Sequence, residues 1–193
     1  MLAASTVPRP ADMPFDAPDF APDAIAAPRA RALFDWWNAA RGDRPMPARG
    51  DFLSEDLAIW WPDLILYEID AGPRGTRRYR FRVHGSNAAQ ADGVNYTGHY
   101  LDEIMPEAYR KVTLDCYDAM ADRRVPLYSR GHRIMRSGVR MSFERLLLPL
   151  GSGEATHVLA LLLWRLPTMA GEIDALAIEN VPFVIDVIGF VVL

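Results

Sequence analysis

Cysteine is all but missing from this 193-residue chain: the single one, Cys116, excludes an internal disulfide and a cysteine-built zinc site. A reducing compartment, the cytoplasm, is the expectation that follows. Histidine is almost as scarce, and the four at positions 84, 99, 132 and 157 show no spacing that would set two ligands on one helix face, so no metal site is expected. No basic start followed by an apolar stretch opens the chain, which argues against a secretory leader. The apolar end, Val181 to Leu193, is interrupted by Asp186 and falls short of the roughly 20 residues of a membrane span. Positive charge is not in excess either. With 21 basic and 25 acidic residues the net charge is −4, and no nucleic-acid-binding surface is indicated. Nor is there a nucleophile-elbow serine, a phosphate-cradling glycine loop or a close acid pair for glycoside hydrolysis, so nothing supports an enzyme.

What is present suits one domain with tails, because a 50% hydrophobic fraction builds a sizeable core. Residues 1–28 are rich in Pro and Ala and are expected to form a disordered arm, since prolines at 8, 10, 14, 18, 22 and 28 prevent a packed helix. The domain proper is expected over 29–167. It opens with RARALFDWWNAAR, where Leu33, Phe34, Trp36 and Trp37 make a broad apolar stripe as on a docked helix, ended by Gly42. Two adjacent tryptophans cannot share one shallow groove. At least one is expected to be buried by a neighbouring element or a second subunit. A short helix is expected from Ser54-Glu55-Asp56.

Leu64–Asp70 reads as a first strand and Ala71–Gly75 as a hairpin loop. Arg78–His84 then alternates strictly: Tyr79, Phe81 and Val83 point one way, Arg78, Arg80, Arg82 and His84 the other. Gly85 ends this second strand, Ser86 is a candidate N-cap for a short helix to Asp92, and Gly93 stops it. His99–Ile104 supplies another short turn with Thr97 as its candidate cap, and a longer helix is expected from Pro106 to Arg123. Three strands follow: Pro126–Met135, Val139–Leu150 after a Ser137-Gly138 turn, and His157–Leu166, the last apolar enough to be covered on both faces. Along Val139–Leu150 the apolar parity switches near Arg145, which a bulge or a change of burial would explain. Glu144 and Arg145 then point to opposite faces, and a charge pairing to neighbouring strands is expected, such as Glu144 with an arginine of the second or third strand; a ligand-contacting role for Arg145, set among leucines, is the alternative. The extension, 168–193, ends in Val181 to Leu193, which is expected to pack on its own domain or on a dimer partner, with membrane-surface contact or a disordered tail as the alternatives.

Two fragments carry a family resemblance. RYRFRVHGSNAAQADGVNYTGHYLDEI holds Gly85, Gly93, Thr97, Gly98, Leu101 and Glu103, and MSFERLLLPLGSG holds Glu144, Arg145, Leu147, Leu148, Pro149 and Leu150. Over about Ala32 to Leu166 the chain resembles a family of short single-domain PAS-like proteins found mainly in alphaproteobacteria. The resemblance implies an α+β, PAS-like fold: a five-stranded antiparallel sheet with short helices on one face and an N-terminal helix packed on the sheet or on a second subunit. It also implies a sensor whose ligand the family does not specify. Haem-binding relatives offer an axial His from the long helix, which carries none here, so haem would need His99 or another unusual ligand. Cys116 lies inside that helix, away from the position of the flavin-reactive cysteine in light-sensing PAS domains. It reads as a small buried hydrophobe.

The candidate ligand cavity is edged by Tyr79, Phe81, Asn87, Tyr96, His99, Tyr117, Phe143 and Trp164, a mix of aromatic walls and few polar groups that suits a small ligand or equally a filled core. No catalytic residue, metal or cofactor is named by these residues. The expected function is a non-catalytic sensory or protein-interaction module, homodimeric, binding a small ligand and signalling through a separate partner. Two alternatives remain open: a small α+β enzyme with His99 or His84 as general base, and a structural dimer without ligand.

Overall fold

The computed structural model describes residues 16–52, 55, 57–134, 140–165 and 184–193. Short strand β1 (Asp19–Phe20) and helix α1 (Pro28–Arg41) precede hairpin β2 (Leu64–Ala71) and β3 (Arg77–His84). Helices α2 (Ser86–Asp92), α3 (Leu101–Ile104) and α4 (Glu107–Arg123) follow, then strands β4 (Leu127–Ile134), β5 (Arg140–Leu150), β6 (His157–Arg165) and β7 (Val184–Val191). The sheet has seven strands in the order β1-β7-β4-β5-β6-β2-β3, not the five expected. The five are present and mutually antiparallel, and the tails add two more: β7 runs antiparallel to β4, and β1 lies parallel to β7. The apolar run at the chain end therefore meets its need for burial by extending the sheet.

The arm expected over 1–28 is built into this edge from Asp16 onward, the residues before it lying outside those described. Ala17, Ile25 and Ala27 are buried, and Phe190 N–H donates to Pro18 C=O at 2.9 Å. Pro18 fits this extended edge pairing, while Pro28 is the first residue of α1, where its missing N–H is not needed. Of the Ser54-Glu55-Asp56 start, Ser54 and Asp56 lie outside the described residues, as does the Ser137-Gly138 turn.

Two cores lie on opposite faces of the sheet. On one, α1 buries Leu33, Phe34 and Trp37 against Leu64, Leu66, Tyr128, Leu146, Leu148, Leu159 and Leu161. Trp37 is thus covered by its own chain, and its indole N–H donates to Pro149 C=O at 2.9 Å. Trp36 is half-buried with its ring centroid 4.4 Å from that of Phe52. On the other face, α2, α3 and α4 cover Ile65, Tyr67, Tyr79, Phe81, Leu127, Leu147, Val158 and Ala160.

Several local expectations give way to the tertiary structure. Along β3 the alternation is broken: Leu66 pairs with Val83 but Tyr67 with Phe81, leaving Arg82 as an extra residue. Val83 consequently packs with the α1-side core, while His84, opposite Ile65, turns to the face of Phe81. Ser86 is the first residue of α2 rather than its cap; Gly85 holds that place. Thr97 caps no helix, its N–H and hydroxyl both donating to the Asn95 side-chain oxygen. The parity switch on β5 involves no bulge, since its register to β4 and β6 is unbroken. It is a change of burial. On β6 both faces are covered only as far as Leu161, and Leu162, Leu163 and Trp164 are half-buried.

Candidate ligand site

The helix-covered face of the sheet holds a continuous aromatic group. Alternation along β2 and β3 sends Tyr67, Tyr79 and Phe81 to this face, and α4 lays Tyr117 over them. Tyr67 meets Phe81 at 4.6 Å and Tyr117 at 5.4 Å, and Tyr79 meets Tyr117 at 5.0 Å, all near edge-to-face. Tyr96, from the connection after α2, adds a tilted contact to Phe81 at 5.7 Å. These rings pack on one another rather than standing around an enclosed space: Tyr79, Phe81 and Tyr117 are 0%, 2% and 3% exposed.

The bulge at Arg82 brings in His84, whose ring stacks on Tyr96 at 5.7 Å. Its Nδ1 accepts the Tyr96 N–H at 3.1 Å, which assigns the ring hydrogen to Nε2. Nε2 lies 3.1 Å from an Asp92 carboxylate oxygen, close but off the line of a well-formed hydrogen bond.

Burial pushes the phenols of Tyr67 and Tyr117 upward, and the nearby Arg145 guanidinium pulls against it in both. Tyr79 is likewise raised by burial and by donating to Asp118 at 2.6 Å; Asp118 is raised by burial, with Tyr79 acting in the opposite sense. Such phenols stay protonated at neutral pH and act as neutral hydrogen-bonding walls.

Of the eight residues read from the sequence, Tyr79, Phe81, Tyr96 and Tyr117 come together. His99 sits at the rim, exposed, its ring 6.3 Å from Tyr96 and its carbonyl accepting the Phe81 N–H at 2.9 Å. Asn87 is exposed and donates to Asp63 at 2.9 Å, tying α2 to the turn before β2. Phe143 and Trp164 form a separate pair, 5.6 Å apart on β5 and β6, farther along the same sheet face. The cavity residues read from the sequence leave out Tyr67 and Ser129 altogether, and leave out His84 and Arg145, which sequence reading weighed separately as a general base and as a ligand contact. Parity with Ile65 on β2 would have found Tyr67, whereas the bulge that turns His84 has no signal in the residues around it.

Ser129 and Arg145 are opposite one another on β4 and β5, and the Arg145 Nε donates to the Ser129 hydroxyl at 3.2 Å. Behind them, on the other face, Glu144 is 8% exposed. Its carboxylate accepts the Ala27 N–H at 3.0 Å and the Tyr128 hydroxyl at 2.7 Å, and lies 3.1 Å from Arg165. The partner is thus an arginine of β6, a direct neighbour of β5, rather than one of β3 or β4. Strand β5 therefore joins the helix-covered face to the start of α1.

A cleft of about 430 Å³ opens beyond β3, where Pro73, Thr76, Arg77, Arg78 and Asp102 face Lys111, Leu114, Asp115 and Asp118. Its cations are already neutralised: Arg77 by Asp122 at 2.6 Å, Arg78 by Asp102 at 2.8 Å, and Lys111 by Asp115 at 2.9 Å. Among the described residues no group of three His, Cys, Asp or Glu is placed to hold a metal ion.

A central antiparallel sheet, three helices on one face and a filled aromatic interior accord with the match of a PAS domain family model to residues 25–163. The chain belongs to the PAS domain family. No curated protein and no solved structure matches it. The matched span includes α1, so the helix that Glu144 anchors lies within the PAS domain. PAS domains are in general sensory modules rather than catalysts. No helix among the described residues of this one is long and apolar enough to cross a membrane.

Proposed function

We propose that this PAS domain is a non-catalytic sensory or interaction module that binds a small ligand on the helix-covered face of its sheet and signals through a separate partner. The observation that carries the reading is the opposed orientation of Arg145 and Glu144. One strand presents a cation beside the aromatic group and, on the next residue, the carboxylate that holds the first turn of α1. A ligand that favours one position of β5 would shift the population of α1 positions, which is all that sensing by differential binding needs. Phe143 and Trp164, with the half-buried Tyr96 toward the helices, line the ligand surface in this reading.

The lone cysteine, Cys116, is buried and has no second cysteine to pair with, which fits a cytoplasmic setting. A homodimer belongs to the proposal, although α1 spends its apolar stripe on its own sheet; Val184 and Ile185, both exposed at the start of β7, are the better candidates for contact. The filled aromatic interior favours one rival, an interaction domain with no ligand. Native mass spectrometry of the purified chain separates them. A co-purified small molecule, weakened by Phe143→Ala or Tyr96→Ala, supports sensing, and a ligand-free species that retains only itself or a protein partner sinks it.

A further inference from the structure

Resting on that reading, we infer that the ligand is a small organic acid, its carboxylate held by Arg145 with help from Ser129 and its apolar body laid on Phe143, Leu162 and Trp164.

The placement follows from strand register. Arg145 stands opposite Ser129 on β4 and Leu162 on β6, and two residues back Phe143 stands opposite Trp164. Directly opposed residues share a face, and i, i+2 residues on one strand do too, so all five side chains lie on the side covered by α4. Arg145, Leu162 and Trp164 are half-buried, while Ser129 and Phe143 are 1% and 5% exposed. The sheet floor is therefore partly open here, whereas it is closed beneath Tyr79 and Leu147.

Charge singles out Arg145 on this floor. Arg77, Arg78, Arg80 and Arg82 of β3 each lie within ion-pair distance of an aspartate or glutamate. Among the described residues no carboxylate comes that close to Arg145, and the group its Nε meets is a neutral hydroxyl. Its neighbour in sequence, Glu144, cannot serve because it faces α1. A half-buried guanidinium among apolar side chains gains most from an acceptor that satisfies its fork with two parallel hydrogen bonds, as a carboxylate does. An uncharged amide would bind the same floor without that gain.

The test uses the full chain and four probes: octanoate, phenylacetate and the two corresponding amides. Thermal shift and titration calorimetry are expected to show that either or both acids bind the wild type more tightly than the matching amide, by roughly 10- to 100-fold. Arg145→Gln should erase that preference and leave amide binding nearly unchanged, with Ser129→Ala intermediate. Acids and amides binding alike, with Arg145→Gln silent, would overturn the acid assignment while leaving a ligand site on this face. If none of the four binds at millimolar concentration the acid assignment falls too, and the co-purified species decides the sensory reading by itself. Should Arg145→Gln fail to fold, the acid-to-amide ratio in the wild type and in Arg145→Lys still decides the assignment.

Discussion

Glu144 and Arg145 are consecutive on β5 and serve opposite faces of the sheet: the carboxylate accepts the Ala27 N–H at 3.0 Å at the start of α1, and the guanidinium donates to Ser129 at 3.2 Å on the helix-covered side. A strand interior normally spends such positions on apolar residues. Here both polar groups are held by hydrogen bonds, and the pair couples two cores that otherwise share only the sheet.

Removing the carboxylate leaves two donors, the Tyr128 hydroxyl and the Ala27 N–H, without their acceptor in a buried place. Glu144→Ala is expected to cost about 2–4 kcal/mol in urea denaturation. Arg165→Ala should cost under about 1 kcal/mol, because its side chain is 59% exposed and the bridge is screened by solvent. Equal losses would mean that the ion pair, not the hydrogen bonds to α1, anchors the helix.

Trp36 and Trp37 should differ sharply. Trp37 is 2% exposed, packs in the α1-side core and donates its indole N–H to Pro149, so Trp37→Ala is expected to destabilise by about 3–5 kcal/mol and Trp37→Phe by about 1–2 kcal/mol. Trp36→Ala, which loses mainly the Phe52 contact, should cost no more than about 2 kcal/mol. A larger loss at Trp36, or one that depends on protein concentration, would place that residue in a subunit interface.

Gly85 closes β3 against the turn before β2. A Cβ there would run into the carbonyl oxygens of Trp61, Pro62 and Leu64, all backbone atoms that cannot swing away. Gly85→Ala should therefore prevent folding or cost about 3 kcal/mol or more. At Gly98 the space is open and only the backbone, at φ +93°, resists a side chain. Gly98→Ala should cost about 1–2 kcal/mol, and circular dichroism melts of the two variants compare them directly.

Alkaline pH should loosen the α1-side core. The Tyr128 phenol is pushed up to about 12, first by burial and then by donating to Glu144. A raised folded-state value favours the protonated form, so this stabilisation is complete below the unfolded value of 10.0 and is lost as pH rises through about 12. Urea midpoints are expected to fall between about pH 10 and 12, and Tyr128→Phe should flatten part of that fall. The remaining slope belongs to Tyr67, Tyr79, Tyr96 and Tyr117, which burial also raises, and to Tyr100, raised first by its hydrogen bond to Asp70.

Periodicity in the chain was enough to determine the elements: α1 from the Leu33, Phe34 and Trp37 stripe, α4 from the run after Pro106, and the five central strands from alternation and turn residues. It also determined that Tyr79, Phe81 and Tyr117 share one core, since parity on a regular strand and spacing on a helix are local properties. Tertiary structure alone decided three things. His84 faces inward because a bulge inserts Arg82 opposite no partner, and a one-residue slip reverses every side chain beyond it. The terminal apolar segment became β7 because β4 had an edge to offer, a long-range pairing between Leu127–His132 and Val184–Phe190 that no local pattern encodes. Arg145 came to stand beside Ser129, Phe143 and Trp164 for the same reason: which residues lie opposite one another is set by register between strands far apart in sequence, and register follows from burying both faces of the sheet at once.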